Sequence, residues 1–163
     1  MEMASCILDG VRGIPRCICD GFNKMKILIE NPPMLDMILQ HGMNPVVEKT
    51  CFTYGDVMYN PGNVSVPADM MAHEETHRLQ QGENPDGWWS RYLSDQWFRI
   101  DQECEAFAVQ YVYFGQHVSH DRNVRARFLF RLSLMLASPT YGSVIGSTAA
   151  QRMIQAAAGK VKL

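Results

Sequence analysis

The sequence is short of several things, and each shortage excludes a class of protein. No stretch approaches the roughly 18 uninterrupted apolar residues of a membrane span, and the richest, Phe128 to Ala137, is broken by Arg131. There is no excess of one charge: a formal net charge of −2 and a pI near 6.2 give no bulk attraction to nucleic acid or to an anionic membrane. The start, Met1-Glu2-Met3-Ala4-Ser5-Cys6, lacks the basic and apolar regions of a secretory signal. A cytoplasmic protein is the resulting expectation. Repeats, low-complexity tracts and linker-like blocks are missing too, so residues 1–163 read as one domain. The five cysteines, Cys6, Cys17, Cys19, Cys51 and Cys104, form neither an even nor a regularly spaced set. That argues for reduced thiols rather than a disulfide framework.

What stands out is His73-Glu74-Glu75-Thr76-His77, an HExxH pattern. On a helix its two histidines lie one turn apart on one face, where both imidazoles can reach one metal. Glu74 falls beside the metal's open position, placed to take a proton from a water rather than to bind. The flanks predict a helix over 66–81: Pro67 suits a helix start and Gly82 a C-terminal cap. Helical phase puts Ala72, Thr76 and Leu79 on the core side and Met71, Glu75 and Arg78 opposite.

Around this helix the sequence predicts a strand at Lys26–Glu30 and a helix from Met34 to His41 with Leu35, Ile38 and Leu39 inward. Strands near Val46–Thr53 and Asp56–Tyr59 join through Tyr54-Gly55 as a hairpin. Beyond Gly82, a turn at Asn84-Pro85-Asp86-Gly87 opens an aromatic helix, Trp88–Leu93. Helices near Asp95–Gly115, Arg122–Ala137 and Thr148–Ala158 follow, with a break at Ser138–Gly142. The fold class expected is α+β: a small, mainly antiparallel sheet packed on the HExxH helix, then a helical half.

Two carboxylates compete to be the third ligand. Glu103 shares the apolar stripe of Ile100, Phe107 and Phe114, whereas Glu105 lies on the more polar face beside Asp101. A carboxylate among aromatics must be paired, protonated or bound to a cation. The alternative to a metal is an internal salt bridge from Glu103 to Arg99 or Arg91. Glu83, just past the helix, is a more remote ligand candidate.

The order of these motifs resembles the gluzincin branch of the zincin metallopeptidases, in which an HExxH helix is followed by a glutamate on a later helix. The likeness runs from about Val46 to Ala108, the middle third to half of the chain. Glu103 with Ala106 matches the ExxA pattern of small gluzincins, and the chain is similar to uncharacterised metallopeptidase-like proteins of phages and bacteria in its Trp88-Trp89 and Phe98-Arg99 segment. The longer metzincin motif is absent, since Gln80 and Glu83 stand where it needs glycine and histidine.

The resemblance implies a zincin-like fold, one catalytic Zn2+ on His73, His77 and Glu103, Glu74 as general base, and a peptide or protein substrate laid as an extra strand along Asp56–Tyr59. It also implies an oxyanion donor, for which Tyr141, His117, His120 and Tyr54 are chemically suitable and Tyr141 is the leading choice. Core packing is the expected role of the Trp88–Tyr92 cluster. A catalytically silent zincin-fold protein, for instance a structural or assembly component of a phage or mobile element, is the alternative to a zinc peptidase. Hydrolysis of a non-peptide amide is a third reading.

Overall fold

The computed structural model describes residues 25–162; Cys6, Cys17 and Cys19 lie outside them. Strand β1 (Lys26–Leu28) and helix α1 (Leu35–Gln40) lead to a hairpin of β2 (Phe52–Tyr54) and β3 (Val57–Tyr59). The helices α2 (Ala68–Gln81), α3 (Pro85–Ser94), α4 (Gln96–His117), α5 (Arg122–Leu136) and α6 (Ser147–Ala158) complete the α+β architecture.

The sheet is mixed rather than mainly antiparallel. Its order is β1-β3-β2, with β1 parallel to β3 and β2 antiparallel to it. Gly55, at φ +56°, supplies the left-handed residue that the tight turn from β2 to β3 asks for. That turn folds β3 back between its neighbours, so Asp56–Tyr59 is no edge for a substrate strand. The expected strand from Val46 also shortens. Val46 is exposed and pairs with no strand among the described residues, and the chain there forms a 3-10 turn at Val47–Lys49, with Lys49 N–H donating to Val46 O. Gly62 passes so close to this turn that a Cβ on it would collide with the Glu48 carbonyl.

Helix α1 buries Ile38 together with Met34 just ahead of it, while Leu39 is exposed and Leu35 half-buried. Six residues make fewer than two turns, so only one narrow stripe can face the protein. In α2 the surprise is Glu75, which is 1% exposed instead of facing water. Arg78 forks onto both of its oxygens, at 2.8 and 2.7 Å, and reaches on to Asp56 in the hairpin turn at 3.0 Å. A bidentate guanidinium offsets the desolvation that would otherwise keep the carboxylate outside.

Helix α4 is the spine. It packs against α2 and α3 on one side and against α5 and α6 on the other. Ile100, Phe107, Phe128, Leu132, Leu136 and Ile154 form one apolar cluster, and Met34, Ile38, Phe52, Trp88, Trp89 and Tyr92 another. The histidine pair of α2 lies where these two clusters meet: His73 packs on Phe107 and His77 on Trp88. No helix among the described residues is long and apolar enough to cross a membrane.

Candidate metal centre

One turn of α2 brings the Nε2 atoms of His73 and His77 to 3.0 Å from each other. Glu103 arrives from α4, with Oε2 3.5 Å from His73 Nε2 and Oε1 3.4 Å from His77 Nε2. All three side chains are buried, and their ligand atoms lie within 4.8 Å of one another. A tetrahedral ion with metal–nitrogen bonds of about 2.0–2.1 Å separates its ligand atoms by about 3.3 Å. The histidine–histidine spacing of 3.0 Å and the shortest histidine–glutamate spacings, 3.4 and 3.5 Å to different carboxylate oxygens, lie near that edge length.

The donor chemistry agrees with the spacing. Glu103 Oε2 is buried without a hydrogen-bond partner among the described residues, a costly condition that a cation removes. The other oxygen, Oε1, accepts from the Tyr92 hydroxyl at 2.6 Å. The cluster can therefore hold a metal ion, and its donor set of two imidazoles and one carboxylate leaves a tetrahedral ion one open position. Neither arginine considered as a partner for Glu103 takes that part. Arg91 pairs with Asp95, and Arg99 donates to the backbone carbonyls of Tyr92 and Leu93. Arg99 thus clamps the end of α3 in the orientation that aims Tyr92 at Glu103.

Protons report the same attraction when the cluster holds no ion. Burial opposes charge on His77, but the Glu103 carboxylate, with Glu74 and Gln80, overcomes it and pushes the imidazole up to about 9. Burial likewise opposes charge on Glu103, and the two histidines outweigh it, holding the carboxyl well below its usual range.

Glu74 stands beside the cluster and outside the ligand set. Its Oε2 accepts from the Thr53 hydroxyl at 2.8 Å, which fixes the carboxylate against β2. Thr53 also presents its backbone oxygen to Gln81 Nε2 at 2.8 Å and Trp89 Nε1 at 3.0 Å. That acceptor on β2 is therefore taken up by the protein's own side chains.

These groups line a cavity of about 80 Å³, room for a handful of waters. Ile38, Met43, Phe52, Trp88 and Trp89 form its apolar walls, and no lysine or arginine is among its lining residues within the described part of the chain. The aromatic helix does more than pack: Trp88, Trp89 and Tyr92 are both core and wall. Cys51 also lines the cavity, with its thiol pushed up to about 12 by burial and by Glu74, so it stays protonated.

Of the residues proposed as oxyanion donors, Tyr141 reaches the cavity. It follows Pro139 in a 3-10 turn and sets its ring edge-on to Phe107. Burial and the nearby charge of Glu103 hold its hydroxyl protonated well above the usual tyrosine range. Tyr54 is hydrogen-bonded to Asp86, His117 packs on Tyr113 at the end of α4, and His120 is exposed, all three outside the cavity lining. Glu83 is exposed and apart from the cluster, while Glu105 bonds to Gln80. The contacts that sequence reasoning missed are Tyr92 to Glu103 and Thr53 to Glu74. Both partners come from other elements, and no spacing along one helix could reveal them.

No protein-family model, curated protein or solved structure matches the chain.

Proposed function

We propose that the protein is a zinc-dependent hydrolase of the gluzincin type that cleaves peptide bonds, with His73, His77 and Glu103 as ligands and Glu74 as general base. The observation that carries this reading is the buried two-histidine, one-glutamate cluster with a second carboxylate fixed alongside it by Thr53. His73, His77 and Glu103 would hold a zinc ion, which would supply Lewis acidity to lower a water's pKa toward neutrality and polarise the substrate carbonyl. Glu74 takes the water's proton and returns it to the departing amine. Tyr92, held by Arg99, keeps Glu103 in position, and Tyr141, whose protonated hydroxyl also lies against Glu103 at the cavity wall, is the donor for the oxyanion.

The cavity gives this reading a particular form. At about 80 Å³ it holds one small side chain, whereas ligand pockets usually measure about 300–1,000 Å³. A substrate therefore places a compact, uncharged group among the apolar walls and leaves its remainder outside. Strand addition along β3 is excluded by its central place in the sheet. The same narrowness favours, as the second reading, a metal-binding protein of this fold without turnover.

Zinc content and hydrolysis of a mixed peptide library, measured on the wild type and on Glu74→Gln, decide between them. Cleavage by the wild type, lost in Glu74→Gln with zinc retained, supports the peptidase. Full zinc loading without cleavage supports the silent reading. Failure to bind zinc at neutral pH rejects both.

A further inference from the structure

Gln80 lies three residues beyond His77 on α2, and its amide has three neighbours. Its oxygen is 2.8 Å from His77 Nδ1, while its nitrogen donates to the Gln102 backbone oxygen at 3.0 Å and to Glu105 Oε2 at 3.1 Å. A carbonyl and an ionised carboxylate can only accept, so the amide nitrogen must face them and the oxygen must face the imidazole. An oxygen there can only receive a proton. His77 therefore carries hydrogen on Nδ1, which in the neutral ring leaves the lone pair on Nε2, the atom aimed at His73 and Glu103.

His73 has no equivalent support among the described residues, for its Nδ1 is buried there without a hydrogen-bond partner. The brace on His77 is also tied to the pocket wall: Gln102, whose backbone anchors Gln80, accepts from Trp88 Nε1 through its side chain at 2.8 Å. Trp88 in turn packs on the His77 ring at 5.6 Å. Two contacts of different kinds thus converge on one imidazole.

We propose that Gln80 is the positioning residue of the metal centre: it fixes the tautomer and ring orientation of His77, and Glu105 and Gln102 lock Gln80 itself. Glu105 thereby acts two bonds behind the metal rather than on it. The proposal rests on the metal-binding reading above and on no particular substrate. Outer partners of a ligating histidine typically contribute 10–100-fold in metal affinity.

The test is zinc affinity, by competition with a chromophoric chelator, for the full-length wild type, Gln80→Met and the exchange Gln80→Glu with Glu105→Gln. The exchange keeps an acceptor toward His77 and an amide donor within the pair, giving up only the bond to the Gln102 carbonyl. In parallel, nitrogen-15 NMR of the zinc-loaded proteins follows the Nδ1 proton of each ligating histidine. Gln80→Met is expected to weaken zinc binding 10–100-fold and to speed exchange of the His77 proton while leaving that of His73 unchanged; the exchange is expected to restore affinity to within a few-fold of wild type. Equal affinity and equal proton exchange in wild type and Gln80→Met overturn the positioning role while leaving the metal centre intact. A wild type that binds no zinc overturns both. Should Gln80→Met fail to fold, the exchange variant decides: weak binding or a rapidly exchanging His77 proton in a folded exchange variant counts against the proposal.

Discussion

Tyr92 donates a hydrogen bond to Glu103 Oε1 at 2.6 Å, while Glu103 Oε2, 3.5 Å from His73 Nε2, is buried with no hydrogen-bond partner among the described residues. The two oxygens of one carboxylate are thereby made unequal, one held by the protein and one available to an ion. Glu103→Gln is expected to abolish stoichiometric zinc binding, whereas Tyr92→Phe lowers affinity about 10–100-fold and Glu105→Gln lowers it less than Glu103→Gln does. Elemental analysis and chelator competition on the three variants check this ranking.

Zinc should also stabilise the fold. An ion that binds only the native state adds about 4 kcal/mol at 1,000 times its Kd. For a domain of this size that raises Tm by roughly 10 °C. Calorimetry with zinc and with chelator measures the difference, and His77→Ala should erase it.

In the metal-free protein the same cluster makes stability depend on pH. The folded pKa of His77, about 9, is above its ordinary 6.5. Its contribution is therefore complete below 6.5 and lost as pH rises through 9. The Glu103 value is depressed below its ordinary 4.5, so its contribution is present above 4.5 and lost as pH falls toward the folded value. Both shifts describe one ion pair and count once. With chelator, Tm should fall between pH 6.5 and 9; with zinc in the proton's place, that fall should flatten.

Thr53→Val tests how Glu74 is held. Zinc content should stay at the wild-type level, while kcat for any peptide cleaved falls about 10-fold with little change in KM, because the carboxylate stays in place but loses its alignment. Glu74→Gln, which removes the base itself, should cost about 10²–10⁴-fold.

Arg78→Met leaves the buried Glu75 carboxylate unpaired and should destabilise the protein by about 3 kcal/mol. Glu75→Gln combined with Arg78→Met should recover part of that loss. Urea unfolding of the single and double variants gives the comparison.

Local chemistry was well written in the sequence. The later helices follow from periodicity, but the turn expected at Asn84–Gly87 is instead the capped first turn of α3, because Asn84 accepts from Gly87 N–H and Pro85 suits a first helical position; Asp95 and Asp121 cap α4 and α5 in the same way. The choice of Glu103 over Glu105 followed from helical phase, because burial and ligand geometry both depend on which face a residue occupies. What the sequence hid was long-range. Glu75 looked solvent-facing because Asp56, the far end of its Arg78 network, comes from the hairpin. The place of β3 depends on pairing with a strand about thirty residues earlier, and strand order leaves no local mark. Thr53 reads as an ordinary strand residue, although its hydroxyl bonds to Glu74 and its carbonyl accepts from both Gln81 and Trp89.

The central place of β3 also sets the order in which the chain can assemble. Joining β2 needs only a tight turn, whereas joining β1 means closing a loop of about thirty residues, from Lys26 to Val57, and bringing His73 to Glu103 means closing another of similar length. The hairpin can form early, and the three ligands meet only after α2 has docked on α4. An ion that needs all three binds only a chain in which that docking is complete. Bound zinc should therefore slow unfolding while leaving the folding rate nearly unchanged, so that the metal prolongs the life of the native state without helping the chain to reach it.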